Sequence, residues 1–182
     1  MPEYKNIGII GEKVVLKVIE EKDLDKIFLW KNDYNLSLLI KSHPLPSARY
    51  EVEEWFRKNQ SDKNQVLLGI YELESKKILG IVRLMFIDWI SSTAEFGIFI
   101  GNEEDRNKGI GKETIKLALD FSFKDLKFNR IFLKVIESNH KAIEVYKSFG
   151  FIKEGLLREH FWCNNKYNDL VIMGLLKNDY LK

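Results

Sequence analysis

The stretch Arg106-Asn107-Lys108-Gly109-Ile110-Gly111 decides how this chain reads. An apolar, strand-like run, Ala94 to Ile100, stands before it, and an amphipathic run, Ile110 to Phe123, begins within it. A basic, glycine-rich turn between a strand and a helix suits a phosphate. Glycines let the backbone come close to an anion, and the helix start offers unpaired N–H groups at the positive end of its dipole. Two familiar phosphate loops fail here. A Walker A loop needs glycine at 106 and Ser or Thr at 113, where this chain has Arg106 and Glu113. A dinucleotide fingerprint needs a third glycine where Thr114 stands. The remaining pattern, R-x-x-G-x-G, is either a phosphate cradle or a plain helix-start turn with two glycines.

Around this turn the chain reads as a mixed α/β domain. Val14 to Val18 is a first strand, and Asp23 caps a helix from Leu24 to Lys31. Asn32 to Pro46 is irregular, and Ser47 caps a second helix, about Ala48 to Asn59, with Val52, Trp55 and Phe56 on one side. Strands Gln65 to Glu72 and Ile78 to Trp89 flank the polar turn Glu74-Ser75-Lys76-Lys77, and Ser91-Ser92-Thr93 leads into Ala94 to Ile100. The helix after the glycine turn sends Ile110, Ile115, Ala118 and Leu119 toward a core. Arg130 to Ile136 is another strand. Ala142, Val145, Tyr146 and Phe149 then recur at helical spacing before the stop at Gly150. Phe151 to His160 and Tyr167 to Leu176 close the fold around Asn164-Asn165-Lys166. This order is not a repeating βαβ array.

The 182 residues suit one compact domain, residues 1–182, and the composition, 45% hydrophobic and 31% charged, is that of a globular chain. A net charge of +2 is too small for the concentrated basic face that nucleic acid selects. The single cysteine, Cys163, excludes an intramolecular disulfide and fits a reducing, cytoplasmic compartment. The N-terminus, MPEYKNIGIIGEK, lacks the apolar stretch of a signal peptide, and no apolar run is long enough to cross a bilayer, so no membrane partner is expected. His43, His140 and His160 show no metal-ligand spacing with one another or with Cys163, and no metal is expected.

R-x-x-G-x-G resembles the coenzyme A pyrophosphate loop of the GNAT acetyltransferases. Downstream, RIFLKVIESNHKAIEVYKSFGF resembles the family's second signature, with Asn139, Ala142, Tyr146, Gly150 and Phe151 at the matching positions. The tail REHFWCNNKYNDLVIMGLL looks like the last strands of the branch that holds ribosomal-protein N-terminal alanine acetyltransferases and spermidine acetyltransferases. The resemblance runs from Val14 to Leu176. It implies an α/β (mixed α+β) GNAT fold: a twisted, mostly antiparallel sheet of six to seven strands with about four helices, the fourth and fifth strands parallel and splayed. It also implies acetyl-CoA as co-substrate and an amine as acceptor. The implied contacts to acetyl-CoA are Ile98, Phe99 and Ile100 on the strand, Arg106, Asn107, Lys108, Gly109, Ile110, Gly111 and Lys112 in the turn, and Asn139 and Ala142 beyond. A homodimer is plausible by resemblance alone.

The reacting groups follow from acyl transfer. Expulsion of a thiolate benefits from a proton donor, and a phenol is protonated at neutral pH. The resemblance gives this role to Tyr146, whose periodicity alone reads as a core aromatic. Asn139 can cap the following helix and also touch the pantetheine arm. The amine must lose a proton, and Glu95 is the candidate base; the other reading is an outward strand carboxylate. The family's oxyanion donor is a strand amide freed by a bulge, which Gly97, Ile98 and Phe99 span. Lys141 and Lys147 are either contacts to the 3′-phosphate or surface lysines.

The acceptor is open. A polyamine should want a carboxylate cluster, yet Asn32 to Pro46 offers only Asp33, with Glu51, Glu53 and Glu54 near in sequence. Trp30, Tyr34, Trp89, Phe161 and Trp162 either stack on a sugar, nucleotide or peptide end or pack the core. The candidates are a protein N-terminus or a small primary amine, with spermidine or a nucleotide-linked amino sugar among the latter. A non-catalytic coenzyme A module is the alternative of another class.

Overall fold

The computed structural model describes residues 8–42 and 45–182; His43 and Pro44 and the first residues of the N-terminal reading lie outside that range. Its strands are Ile9–Ile10 (β1), Val14–Lys17 (β2), Val66–Glu72 (β3), Ile78–Asp88 (β4), Thr93–Ile100 (β5), Arg130–Ile136 (β6), Ile152–Cys163 (β7) and Lys166–Leu176 (β8). They form one eight-stranded sheet in the order β1-β2-β3-β4-β5-β6-β8-β7. Every neighbouring pair is antiparallel except β5 and β6, the expected parallel pair. The strand beyond the expected count is β1, a two-residue hairpin arm on β2.

Period-two alternation sorts the side chains between two cores. On β5, Ala94, Phe96, Ile98 and Ile100 join the main core with Leu133 and Val135 of β6, under Ile110–Asp120 (α4) and His140–Ser148 (α5). Phe99 and Ile81 face the second core, filled from Leu24–Lys31 (α1), Tyr34–Leu39 (α2) and Arg49–Ser61 (α3). A short helix, Lys177–Tyr180 (α6), follows β8. The six α-helices among the described residues exceed the expected four because α2 and α6 are a turn or so long, too short for hydrophobic periodicity to mark.

Three local expectations change. The segment read as irregular holds α2, whose start is fixed by Asp33 Oδ1 accepting from the Leu36 N–H at 3.0 Å. The cap of α3 falls on Ala48, one residue late, because Glu51 reaches back to the Ala48 N–H at 2.6 Å while Ser47 pairs with Asn32. The bulge is not at Gly97. The β4–β5 register is one-to-one from Gly80↔Ile100 to Met85↔Glu95, and the extra residue lies on β4 between Met85 and Asp88, where Phe86 takes φ 50°. Asn164 and Asn165 supply the paired positive φ values, 51° and 56°, that turn β7 into β8.

Tyr71 joins the helical layer to the sheet. It is fully buried on β3, and its hydroxyl donates to the Asp23 carboxylate, which also accepts from the Glu20 N–H at 3.1 Å. Burial, then the neighbouring carboxylate, pushes the phenol well above its usual range. Tyr71→Phe strips this buried carboxylate of its side-chain donor. A loss of about 1–3 kcal/mol is expected, read as a lower urea midpoint with unchanged slope.

Candidate active site

Backbone pairing creates the site. β5 and β6 pair at Thr93↔Arg130, Ala94↔Ile131 and Glu95↔Phe132 and no further. Beyond that point β5 stays with β4 as far as Ile100, and β6 stays with β8 as far as Ile136. The opening between them is a cleft of about 930 Å³, lined by Gly97, Ile98, Phe99 and Ile100 on one wall and by Lys134, Val135 and Ile136 on the other. Backbone groups of β5 on that side have no strand partner.

The glycine turn closes one end of the cleft. Gly109 caps α4 at φ 86° and Asn107 takes φ 64°, so the chain curls and leaves the first-turn amides of α4 free to face a ligand. A Cβ built on Gly111 meets nothing within 4 Å, so no packing demands glycine there. Arg106 is committed to the strand end: its Nε donates to the Ile100 carbonyl at 3.2 Å and its Nη2 to the Gly101 carbonyl at 3.1 Å. Lys141 donates to Asn107 Oδ1 and lies on the cleft, whereas Lys147 pairs with Glu144 at 2.8 Å on the surface. Ile110 points into the core, and Lys108 turns toward Asp105 at 3.7 Å. Glu113, the residue that spoils the Walker pattern, faces away and accepts the Lys13 N–H at 2.9 Å.

Tyr146 lies on the same sheet face as this loop. It is half-buried, packed edge-on against Phe96 at 6.4 Å and Phe151 at 5.8 Å, and its hydroxyl has no hydrogen-bond partner among the described residues. Burial pushes its pKa up to about 12, so the phenol keeps its proton across neutral and mildly alkaline pH. No residue of α5 is fully buried, although Ala142, Val145 and Tyr146 form an apolar stripe; that stripe faces the cleft. Asn139 caps α5, its Oδ1 accepting from the Ala142 N–H at 3.2 Å.

Glu95 sits on the opposite sheet face at the point where the strands part. It is buried, with Lys134 Nζ at 2.8 Å from Oε2. The outward-carboxylate reading is therefore corrected: Glu95 points inward and is ion-paired. Lys41, just after α2, donates to the Lys134 carbonyl, and burial lowers its pKa. Arg83 of β4 also lines the cleft, its guanidinium donating through Nη2 to Asn59 Oδ1 and Gln65 Oε1, both at 2.9 Å, and burial lowers its pKa too.

A sequence model of the acetyltransferase (GNAT) domain matches residues 16–172. The chain belongs to the GNAT acetyltransferase family. It is an acetyl-CoA-dependent N-acetyltransferase. Spermidine N(1)-acetyltransferase of Vibrio cholerae is 34% identical over 172 residues, 94% of this chain and 98% of that protein. Its counterpart in Escherichia coli is 29% identical over 171 residues, covering 94% and 90%. The crystal structure of the Vibrio cholerae spermidine N-acetyltransferase in complex with CoA and spermine superposes with a TM-score of 0.88 at 32% identity, covering 94% of this chain and all of that one.

In this acetyltransferase the cleft gathers Tyr146, Glu95, Ile98, Phe99, Ile100, Arg106, Asn107, Gly109, Gly111, Lys112, Asn139 and Ala142, while the side chains of Lys108 and Ile110 stay outside it. The proposed stacking aromatics are packing or surface groups. Trp30 sits edge-on to Phe99 at 5.8 Å, Trp89 lies against Phe128, and Trp162 pairs with Tyr167. Phe161 is buried in a small cluster with Leu170. No group of three or more His, Cys, Asp or Glu placed to hold a metal occurs among the described residues. Sequence reasoning missed Lys41, Arg83 and Lys134. For Lys134 a signal existed: it breaks an apolar strand on the face opposite Leu133 and Val135. Lys134→Met should cost about 1–3 kcal/mol by leaving a buried carboxylate unpaired, read as a lower urea midpoint with unchanged slope.

Proposed function

We propose that residues 1–182 act as one catalytic unit that transfers acetyl to a primary amine by direct attack within a ternary complex, with Tyr146 as general acid and Glu95 as base. The carrying observation is the unpartnered Tyr146 hydroxyl over the cleft that the parting of β5 and β6 opens. Acetyl-CoA supplies the activated thioester. The free amides at the start of α4, with Gly109, Gly111 and Lys112, receive its pyrophosphate; Arg106 braces β5 behind them, and the void at Gly111 fits a phosphate. The open edge of β5 at Ile98, Phe99 and Ile100 hydrogen-bonds the pantetheine arm, and Asn139 and Ala142 form the facing wall. Lys141, through Asn107, adds charge at the rim.

Tyr146 holds its proton at Oη for the departing sulfur, and its raised pKa keeps that proton available. Glu95 accepts the amine proton directly or through water. Lys134 holds the carboxylate in place through the ion pair at 2.8 Å. A free β5 amide near Gly97 holds the oxyanion; the opening on the β6 side provides it without a bulge in β5.

A polyamine acceptor is a second reading, supported by the names of the spermidine-acetylating relatives. Of the carboxylates considered for it, Asp33 caps α2, Glu51 caps α3 and Glu53 pairs with Arg49 at 3.2 Å, while Glu54 is exposed with no hydrogen bond or ion pair among the described residues. Action in the cytoplasm fits the buried, unpaired Cys163. Self-association is supported by the dodecameric structure described for the Vibrio cholerae enzyme.

Tyr146→Phe should lower kcat about a hundredfold or more in a thiol-release assay while coenzyme A affinity persists; a silent wild type that still binds acetyl-CoA would instead mark a binding module. Gly111→Ala should leave the fold intact or stabilise it by up to about 1 kcal/mol, since alanine favours a helix. The same change fills the phosphate cradle, so calorimetry should show coenzyme A binding weakened about tenfold, or about 1.4 kcal/mol.

A further inference from the structure

The acceptor end of the cleft is cationic. Six basic side chains line the whole cleft, Lys41, Arg83, Arg106, Lys112, Lys134 and Lys141, against two carboxylates, Glu95 and Glu103. Arg106, Lys112 and Lys141 lie at the phosphate end. At the other end Lys134 is matched by Glu95, and Lys41 is committed to the Lys134 carbonyl. Among the described residues neither Lys41 nor Arg83 has an ion-pair partner of its own, and of the two Arg83 keeps an unsatisfied donor. Its guanidinium is held by the neutral oxygens of Asn59 and Gln65 and lies 6.0 Å from the Trp55 ring; its Nε is buried with no hydrogen-bond partner, and no carboxylate among the described residues pairs with it. A half-buried guanidinium without a counterion carries a desolvation cost, and its unsatisfied buried Nε adds to that cost.

The position of Arg83 says what would complete it. Arg83 stands directly opposite Gly97 in the β4–β5 register, and Glu95 is two residues from Gly97 on the same sheet face. Diagonal neighbours of this kind are about 7–8 Å apart across a sheet. Gly97 puts no side chain between them; a Cβ there would meet only the flexible end of Met85, at 3.1 Å. Leu36, Leu39 and Ile40 of the α2 region form the apolar wall above. The carboxylate of Glu95 and the guanidinium of Arg83 thus belong to diagonal neighbours lining one cleft, with no side chain at residue 97 between them.

We propose that Arg83 is the acceptor-recognition residue and that the acceptor is a small primary amine carrying a carboxylate at its far end, with the amine at Glu95 and the carboxylate on the guanidinium. The planar fork of arginine matches a carboxylate, whereas a second ammonium in that place would meet Arg83 and Lys41 with like charge. The inference rests on the acetyl-transfer reading given above and narrows its acceptor.

The test is thiol release by the full chain with acetyl-CoA and four acceptors: γ-aminobutyrate, the length-matched diamine putrescine, spermidine and phosphoethanolamine. The expected result is a kcat/KM for γ-aminobutyrate at least about tenfold above that for putrescine, each tenfold being about 1.4 kcal/mol. Arg83→Gln should erase that preference, chiefly through the KM of the amino acid, and Arg83→Lys should restore part of it. A wild type that prefers putrescine or spermidine overturns the inference, whether or not the variants fold. So does a preference that survives Arg83→Gln. Preference for phosphoethanolamine overturns the carboxylate assignment. Transfer to diamines alone leaves acetyl transfer standing and removes only this inference; no transfer to any amine, with acetyl-CoA bound, removes both.

Discussion

The site depends on the loss of one set of backbone pairings. β5 and β6 are neighbours in the sheet for three residue pairs and then part, each keeping its other neighbour. A buried strand edge must still satisfy its N–H and C=O groups. Arg106 takes the carbonyls of Ile100 and Gly101, and Lys41 takes that of Lys134. The remaining edge groups of β5 on the β6 side have no strand partner beyond Glu95. The parting therefore makes the cleft and supplies its hydrogen-bonding wall.

The same opening joins the two faces of the sheet. Phe96 and Tyr146 belong to the face covered by α4 and α5, and Glu95, Arg83 and Lys134 to the face covered by α1, α2 and α3. A proton donor and a proton acceptor can then approach one reacting centre from opposite sides.

Electrostatics divides the cleft into two ends. At the α4 end the helix start and the lysines favour anionic groups. At the other end a single carboxylate lies among three cations, and only Lys134 is ion-paired to it. Relatives with similar folds bear names that point to polycationic acceptors. A shared fold carries the donor chemistry across a family more faithfully than it carries the acceptor, because the acceptor is read by a few side chains that substitution can reverse in charge.

The sequence alone determined the order of the main strands and helices, which rests on local spacing: alternation at two and recurrence at about 3.6. The identity of the donor came from the resemblance of two motifs to the GNAT family, and spacing by itself left the glycine turn open between a phosphate cradle and a helix start. The sequence misled where short range gives little signal, at the six-residue α2 and at the placement of the bulge, since a register is a property of two strands and not of one. Only the tertiary structure brought Lys41, Arg83 and Lys134 to the cleft beside Glu95. They come from a loop and two strands far apart in the chain, and their pairing depends on which face each strand presents and on where β5 and β6 separate.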